Sequence, residues 1–402
     1  MHLSKTMFSI FLTGMMAFSC SSQNQQETMR HPPESPDSTV KLFLCGDVMT
    51  ARGIDQILPH SVNPVLYESY VKDARQYVTL AERKSGPVPA EVDYAYIWGE
   101  AMEVWEKNAP DLRLINLETS ITTNSEPWPG KGIHYRMHPK NVKVLQAARI
   151  DHCSLGNNHV IDWSRPGLTE TMETLETADI KFSGVGENER SAARPSVLTT
   201  EKGRVLVFSY GSPTSGIPEQ WAAESSLSGV NFLEDLDEQS VEDIKEQIAT
   251  YRKEGDVVIF SIHWGGNWGY DVSDRQRNFA KMLIDEAGVD IIYGHSSHHP
   301  MGIEVYKDRL ILYGAGDFIN DYEGIGGHQE YRGELTLMYF PQLNSKTGKL
   351  EALKIIPMEV SQLQLQSAES DDAMWIRDIL NREGKKFGTS VNIENGALWL
   401  HW

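Results

Sequence analysis

Short apolar runs alternate with longer amphipathic stretches along most of this chain. Residues 40–45 and 256–262 have the length and the apolar content of buried strands, whereas residues 165–178 carry apolar side chains at helical spacing. Strands that alternate with helices in this way are typical of α/β proteins with a largely parallel core. The pattern therefore predicts an α/β fold.

Three less regular stretches also predict elements. We expect helices over residues 48–58 and 94–107, where apolar residues recur at helical spacing. Beyond residue 335 the pattern predicts further strands and one helix. We expect these to complete a second sheet rather than to form a separate domain.

Five of the strand-like runs end in side chains that can bind a metal ion. These side chains are Asp47, Asn116 with Glu118, Asn158 with His159, His263, and His295 with His298. A lone histidine is usually a satisfied polar residue, but the ends of parallel strands meet at one edge of a sheet. Mixed His, Asn and carboxylate ligands favour Zn, Mn or Fe. The sequence thus predicts one or two divalent metal ions.

Other residues near these strand ends admit two interpretations. Arg136, in the long connection 119–140, has a planar guanidinium that suits phosphate or carboxylate, but it can equally be a surface arginine. Trp264 and Trp268 flank a glycine-rich loop after His263. They either form an apolar wall for a ligand or pack the loop.

Composition excludes one class of partner. The 402 residues include 56 acidic and 37 basic side chains, and the net charge is −19. An acidic chain without a basic run argues against nucleic acid as a partner. Cys45 and Cys153 lie in or beside strand-like runs, so we expect buried free thiols and no disulfide framework.

The first 39 residues have the features of an export signal and a tether. Lys5 precedes the short apolar run 7–18, and a small-residue cleavage site ends at Cys20. We interpret residues 1–19 as a signal peptide, Cys20 as a lipidated cysteine and residues 20–39 as a disordered tether. This predicts an exported, membrane-anchored lipoprotein of the bacterial cell envelope, periplasmic or at the surface. Ordinary secretion with an incidental cysteine is the alternative.

The ordered series of motifs resembles one known family. The segments KLFLCGDVMTARGID, LINLETSIT, SLGNNHVIDWSRPGL, VVIFSIHWGGNWGY and IIYGHSSHHPMGIEVYKDRLILYGAGDFINDYEG are similar to those of the capsule-synthesis CapA family of poly-γ-glutamate biosynthesis or export accessory proteins. That family is related to calcineurin-like metallophosphoesterases. The resemblance covers residues 40–402, with the core motifs in 40–325 and completing strands and a helix in 335–402. It implies a four-layer α/β/β/α sandwich with two facing mixed sheets.

The resemblance also implies roles for individual residues. Asp47 corresponds to the first metal-binding acid and Glu118 to the acid that bridges two metals. The remaining implied metal ligands are Asn158, His263, His295 and His298. The candidate catalytic residues are His159, Arg136 and Asp317, with His159 protonating the leaving group or holding the phosphoryl oxygen. The candidates for supporting these ligands are Asn116, His299, Asn320 and Arg52.

This chain departs from the phosphoesterase pattern at three places. Met49 stands where a histidine follows the first acid, Glu118 replaces the usual aspartate, and the last motif reads Gly-His-Ser-Ser-His with an extra residue. One metal position is therefore expected to be weakened or lost.

Two functions follow from the resemblance. The first is a cell-envelope metal-dependent hydrolase, phosphoesterase-like, acting in the metabolism of capsule or poly-γ-glutamate type polymer. Its substrate would be an anionic polymer or a phosphorylated or peptide-linked glutamate. The alternative is a non-catalytic accessory protein for the synthesis, anchoring or export of an anionic polymer, working with capsule-synthesis membrane proteins. A purely structural protein would bury histidines and carboxylates without partners, which is costly.

Overall fold

The computed structural model describes residues 39–402. The predicted signal peptide, the lipidated Cys20 and the tether up to residue 38 lie outside these residues. Thr39, expected in the tether, instead begins the first strand, and its hydroxyl donates to Glu351 Oε2 over 2.8 Å. Within residues 39–402, no helix has the length and apolar character that crossing a bilayer requires.

Strands and helices alternate along the described chain, as the hydrophobic pattern predicts. The strands are β1 (Thr39–Cys45), β2 (Asp47–Val48), β3 (Leu112–Leu117), β4 (Ser120–Ile121), β5 (Arg136–Met137), β6 (His152–Ser154), β7 (Lys181–Ser183), β8 (Val185–Gly186), β9 (Ser196–Thr200), β10 (Gly203–Gly211), β11 (Gly229–Val230), β12 (Val257–His263), β13 (Ile291–His295), β14 (Ile303–Tyr306), β15 (Arg309–Leu312), β16 (Asp317–Ile319), β17 (Leu335–Asn344), β18 (Leu350–Ser361), β19 (Gln364–Ser367), β20 (Ser390–Glu394) and β21 (Ala397–His401). The helices are α1 (Arg52–Ile57), α2 (Arg75–Ser85), α3 (Ala101–Asn108), α4 (Lys143–Ala147), α5 (Ser164–Thr177), α6 (Glu189–Ala192), α7 (Glu238–Tyr251), α8 (Asp274–Asp285) and α9 (Ser370–Gly384).

The two main sheets contain 11 and 6 strands. The larger sheet runs in the order β16-β2-β3-β1-β17-β18-β21-β20, with β6 beside β3, β7 beside β6 and β19 beside β18. The smaller sheet runs in the order β14-β15-β13-β12-β10-β9. Both sheets are mixed, because β1 is parallel to β3 and antiparallel to β17, while β10 is parallel to β12 and antiparallel to β9.

Three apolar cores separate four layers. Successive side chains of a strand point to opposite faces, so Phe43 of β1 joins the core with α3 and α5, whereas Leu42 joins the core between the sheets. In the smaller sheet, Val207 belongs to the core between the sheets, and Leu206 packs with α7 and α8. Helix, sheet, sheet and helix thus lie in succession, which confirms the expected four-layer α/β sandwich.

Two expected helices are shorter than predicted. In residues 48–58 the chain first forms β2, which pairs with β3, and α1 begins only after it. The backbone N–H of Met49 donates to Ile319 O over 2.9 Å, so pairing with neighbouring strands competes with the helix. In residues 94–107, Gly99 has a φ of 42° and ends a 3₁₀ turn before α3 begins.

The strands after residue 335 belong to the larger sheet, which corrects the expectation that they complete a second one. β17 pairs antiparallel with β1, with Met338 opposite Cys45. β18, β21 and β20 continue the sheet outward from β17. Helix α9 then packs Ile376 and Leu380 into the core between the sheets. Cys45 and Cys153 are buried free thiols, as expected.

Candidate metal centre

Strand register brings the predicted ligands to one region of the fold. In the larger sheet, Asp47 lies opposite Asn116 on one side and opposite Asp317 on the other. In the smaller sheet, His263 and His295 are the last residues of two neighbouring parallel strands and lie opposite each other. All five residues lie at strand ends, so their side chains meet where the sheets stop.

The tightest cluster consists of Asp47, Glu118 and His263. Their potential ligand atoms all lie within 4.8 Å of one another, and all three residues are buried. His263 Nε2 is 3.8 Å from Glu118 Oε1. His295 Nδ1 is 2.8 Å from Asp47 Oδ1. Two carboxylates and the His263 imidazole thus converge as cation ligands do, and His295 contacts Asp47 beside them.

Several polar atoms of this cluster lack a hydrogen-bond partner among residues 39–402. They are His263 Nε2, both ring nitrogens of His295, and Asn158 Oδ1. His295 Nδ1 nevertheless lies 2.8 Å from Asp47 Oδ1, so Nε2 is the ring nitrogen of His295 that has neither a hydrogen bond nor an ion pair within the described part of the chain. Because buried polar atoms without partners are costly, these atoms fit a bound divalent cation. The residues that could hold it are Asp47, Glu118 and His263, a mixed nitrogen and oxygen set, and the unpartnered atoms make Asn158 and His295 further candidates.

Electrostatics also favour a cation at this position. Burial raises the pKa of Glu118 well above its usual range, and the carboxylates of Asp47 and Asp317 raise it further. Burial also raises the pKa of Asp47, but His295 and His263 outweigh this effect and lower it to about 2. Burial lowers the pKa of His263 to about 3, so its imidazole is neutral and able to coordinate.

Two asparagines position the Asp47 carboxylate through a chain of hydrogen bonds. Asn116 Nδ2 donates to Asp47 Oδ1 over 2.7 Å and lies 3.4 Å from His263 Nδ1. Asn157 Nδ2 in turn donates to Asn116 Oδ1 over 3.1 Å and to Leu117 O over 2.9 Å. Asn157 therefore determines which way the Asn116 amide faces, a supporting role that the sequence predicts only for Asn116.

His159 lies on the far side of Glu118, with Nε2 at 3.7 Å from Glu118 Oε1. Its Nδ1 donates to Asp162 Oδ2 over 2.6 Å, and Lys131 Nζ donates to the other carboxylate oxygen and to Asn158 O. Burial lowers the pKa of His159 to about 4, although Asp162 opposes this effect. At neutral pH His159 is therefore neutral, and its unprotonated Nε2 faces the cluster.

His298, Asp317 and Asn320 form a second group beside the cluster. His298 Nδ1 is 2.9 and 3.0 Å from the two oxygens of Asp317, and His298 Nε2 is 2.9 Å from Asn267 Nδ2. Both ring nitrogens are thus engaged, in contrast to Nε2 of His295. Burial lowers the pKa of His298, but Asp317 outweighs it and raises the pKa. Asn320 Nδ2 donates to Asp317 Oδ2 over 3.0 Å and orients this carboxylate.

Arg136 does not join the cluster. Its guanidinium donates to Asn124 O over 2.6 Å and to Asn63 O over 3.1 Å, and it stacks 3.7 Å from the ring centre of Trp163. It is also absent from the lining of the cavity described below. Arg136 therefore connects two loops, and the cation that lies beside His159 is the half-buried Lys131.

Arg52 and His299 belong to neighbouring networks. Arg52 pairs with Asp321 and Glu68 in the interior. The His299 ring stacks on Tyr331 with 4.5 Å between ring centres. Neither side chain hydrogen-bonds to a residue that would hold the cation.

Met49 contributes no conventional ligand. It is buried with Ala51 and Tyr135, and its sulfur accepts a hydrogen bond from Ala51 N over 3.2 Å. A thioether suits copper better than the metals that carboxylates and imidazoles select. The cluster therefore has one ligand position fewer than the phosphoesterase pattern implies.

A cavity of about 780 Å³ opens in front of the cluster. The site residues that line it include Glu118, Asn158, His159, His298, Asp317 and Asn320. Trp268 also lines it, with 37% of its surface exposed, and stacks on His328 at 4.2 Å. Trp264 is only 2% exposed and donates its indole N–H to Tyr313 O over 2.9 Å. Of the two tryptophans, Trp264 packs the core and Trp268 faces the cavity.

The pattern of strand ends does not identify four residues of this site. Asn157 and Asp162 belong to the same motif as His159, so hydrogen-bonding side chains within three residues of a candidate histidine are the available signal. Lys131 and Tyr135 come from the long connection after β4, where no periodic pattern marks them. Only the tertiary contacts identify these two.

Comparison with known proteins agrees with the geometry. The family described as "Bacterial capsule synthesis protein PGA_cap" matches residues 41–322. A "Probable polyglutamine synthesis accessory protein" of Mycobacterium tuberculosis is 44% identical over 359 residues, which cover 89% of this chain and 94% of that protein. The "PGA biosynthesis protein CapA" of Bacillus subtilis is 26% identical over 292 residues, 72% of each chain.

One solved structure, described as "GAP50 the anchor in the inner membrane complex of Plasmodium", covers 85% of this chain and 95% of that chain. Its identity is 10% and its TM-score is 0.29, so this likeness carries no argument. The family match spans more than half of the chain and includes every residue of the cluster. The chain therefore belongs to the bacterial capsule synthesis protein PGA_cap family.

Proposed function

We propose that this protein is a metal-dependent hydrolase, phosphoesterase-like, that acts in capsule or poly-γ-glutamate type polymer metabolism. One observation carries the proposal: the buried ligand atoms of Asp47, Glu118 and His263 lie within 4.8 Å of one another, His263 Nε2 has no hydrogen-bond partner among residues 39–402, and Glu118 lines an open cavity. In a structural ion pair the partners satisfy each other's polar atoms, whereas Nε2 of His263 and Nε2 of His295 have no hydrogen-bond partner among the described residues and can bind a cation. The names of the relatives support the polymer, and the strand-end cluster supports the chemistry.

Each part of the site has a task in this proposal. A bound divalent ion would polarise a phosphoryl oxygen and lower the pKa of bound water. His159 accepts a proton at Nε2, because Asp162 keeps the ring proton on Nδ1. Only the protonated Nε2 can then donate to a phosphoryl oxygen or return the proton to the leaving group. Asn116 and Asn157 keep the Asp47 carboxylate oriented. The cavity gives the substrate access while the ligand atoms stay buried.

The remaining parts of the proposal concern location and partners. We propose that the chain is exported and anchored by a lipid on Cys20. Capsule-synthesis membrane proteins are then the expected neighbours. The substrate would be an anionic polymer or a phosphorylated or peptide-linked glutamate.

A non-catalytic accessory protein is the second candidate, and Met49 is the observation that favours it. The buried thioether leaves the cluster with one conventional ligand fewer. A cation bound there would then hold the polymer without turnover. Activity measured with and without a chelator separates the two candidates.

The test begins with metal content. We expect the purified full-length protein to carry Mn, Zn or Fe and the double variant His263→Ala/His295→Ala to lose it. The exposed His401→Ala serves as the matched control and should retain the metal. Turnover of bis(4-nitrophenyl) phosphate and of polyglutamate is then measured with and without chelator. Equal, negligible metal in wild type and double variant would refute the metal centre.

A further inference from the structure

Two tyrosine hydroxyls meet at the edge of the cavity. Tyr135 precedes β5 and Tyr322 follows β16, and their Oη atoms lie 2.7 Å apart. Both residues line the cavity that opens in front of the cluster. The two phenols therefore bridge segments that are 187 residues apart in sequence.

The two hydroxyls of Tyr135 and Tyr322 carry two hydrogens, but only one of these takes part in the hydrogen bond between them. Each phenol carries one O–H hydrogen, and one of the two is consumed in the bond between them. Within residues 39–402, neither hydroxyl has another hydrogen-bond partner. Buried or half-buried polar hydrogens are normally paired. The second hydrogen is thus available to an acceptor that enters the cavity.

The rings of Tyr135 and Tyr322 contact two histidines beside the cluster. The Tyr135 ring stacks on the His159 ring with 3.9 Å between centres, and the Tyr322 ring meets His298 edge-on at 5.6 Å. Tyr322 N also donates to Asn320 Oδ1 over 3.0 Å, and Asn320 holds Asp317. The phenols therefore lie between the two histidines that flank the cluster.

Both phenols stay protonated. Burial raises the pKa of Tyr135 and of Tyr322 well above the ordinary value, and neighbouring acidic groups, including Glu118, raise both further. Arg52 opposes this effect but does not outweigh it, so the pair is a neutral donor at neutral pH. A neutral donor binds an oxygen that carries partial negative charge without adding a net positive charge.

The charged side chains near Tyr135 and Tyr322 limit the negative charge that a bound substrate can carry. Arg52 lies 4.8 Å from the Tyr135 ring centre but is paired with Asp321 and Glu68. Lys131 is paired with Asp162. Lys84 and Arg332 also line the cavity, and Arg332 is paired with Glu334 and Asp372. The side-chain cations Arg52, Lys131 and Arg332 are thus already paired with carboxylates, which disfavours a substrate with two negative charges on one phosphorus.

We propose that the Tyr135–Tyr322 phenol pair donates its free hydrogen to a non-bridging phosphoryl oxygen, and that the substrate is a phosphodiester rather than a phosphomonoester. This inference rests on the proposed hydrolytic function. In the reaction, a P–O bond from water forms and the P–O bond to the leaving alcohol breaks, and a proton from the water ends on the alcohol. The phenol hydrogen stays on the pair and stabilises the charge on the phosphoryl oxygen.

The test uses the metal-loaded full-length protein and the variants Tyr135→Phe, Tyr322→Phe and the double variant. Tyr313→Phe is the matched control, because its buried hydroxyl donates to Glu304 over 2.7 Å outside the site. We expect kcat/KM for bis(4-nitrophenyl) phosphate to fall roughly 10²-fold in the double variant, with metal content and the His159 ring stack retained. The single losses should not add, because the hydroxyls act as one unit. The wild type should prefer this diester to 4-nitrophenyl phosphate.

A binding measurement separates this inference from the proposed function. Affinities for dimethyl phosphate and methyl phosphate are measured on the same metal-loaded proteins by calorimetry. If the wild type has no turnover, the hydrolase proposal fails, but a roughly tenfold weaker binding of dimethyl phosphate in the double variant still supports the phenol pair. Unchanged diester affinity in the double variant, or tighter wild-type binding of methyl phosphate than of dimethyl phosphate, would overturn the inference.

Discussion

Replacing Asp162 by asparagine should destabilise the fold and disorient His159 at once. The carboxylate receives three hydrogen bonds, from Lys131 Nζ, from His159 Nδ1 over 2.6 Å and from Tyr135 N over 2.6 Å. Asp162→Asn removes the charge that neutralises Lys131 and one of the acceptor oxygens. Its volume is nearly unchanged, so packing should not account for the effect.

The magnitude follows from the burial of the pair. Removing one partner of a buried ion pair costs about 3–5 kcal/mol, because the other charge stays buried without compensation. The side chain of Lys131 keeps 17% of its exposure and that of Asp162 keeps none, and the asparagine retains one acceptor oxygen. We therefore expect a loss near the lower limit, about 3 kcal/mol in the free energy of unfolding.

A double-mutant cycle with Lys131→Met isolates the interaction. Free energies of unfolding at pH 7 come from urea titration of the wild type, the two single variants and the double variant. We expect Asp162 and Lys131 to couple by about 1–3 kcal/mol. The exposed pair of Lys245 and Glu242, 2.8 Å apart, provides a control cycle with coupling below about 1 kcal/mol.

Two results would refute this reasoning. Additive effects, within about 0.5 kcal/mol, would show that Lys131 and Asp162 do not form an energetically meaningful pair. An Asp162→Asn protein with wild-type kcat would show that the orientation of His159 is irrelevant, whereas general acid–base catalysis predicts a loss of roughly 10²-fold or more.

Three further predictions concern other parts of the molecule. Chelation should lower the free energy of unfolding of the wild type by about 2.7 kcal/mol when the metal had been present at 100 times its Kd, and it should leave His263→Ala unchanged in urea titrations. Gly46→Ala should cost about 1–3 kcal/mol and reduce metal content, because the added Cβ would lie 2.1 Å from Gly316 O; a stable, metal-replete variant would contradict the close approach. Burial lowers the pKa of His152 to about 3, so between about pH 6.5 and 3 the unfolded chain binds a proton there that the folded chain does not. The free energy of unfolding should therefore fall with falling pH by up to about 1.4 kcal/mol per unit, and a His152→Asn variant that keeps the full slope would rule out this assignment.

The sequence brings most candidate ligands to one region because each follows or ends a strand-like run. Asp47, Asn158, His263 and His295 follow runs whose apolar character identifies buried strands, and buried neighbouring strands bring their ends together. The same reasoning fails for Arg136. In sequence, an arginine that hydrogen-bonds to backbone carbonyl oxygens cannot be distinguished from an arginine that binds a phosphate.

Contacts between distant loops are the second limit of sequence reasoning. The Tyr135–Tyr322 pair depends on two connections that no periodic pattern describes, and it forms only after both sheets are in place. The sequence also does not determine which sheet the C-terminal strands join. β1 could be an edge strand paired with β3 alone, or it could have a second strand on its other side. Only the antiparallel pairing with β17 shows that the larger sheet takes these strands.

The departure at Met49 and the phenol pair are parts of one arrangement. Met49 belongs to one apolar cluster with Tyr135, which also contacts the His159 ring and the Tyr322 hydroxyl. An imidazole at this position would bring a polar ring into an apolar contact and, when coordinated, additional positive charge beside the phenols. A site that held one divalent ion instead of two would offer less positive charge to a substrate, and a neutral hydrogen-bond donor at its edge suits a substrate with a single negative charge. Met49 therefore argues against an ordinary two-metal phosphatase, and it also lies in one apolar cluster with the phenol pair that we expect to bind a phosphodiester.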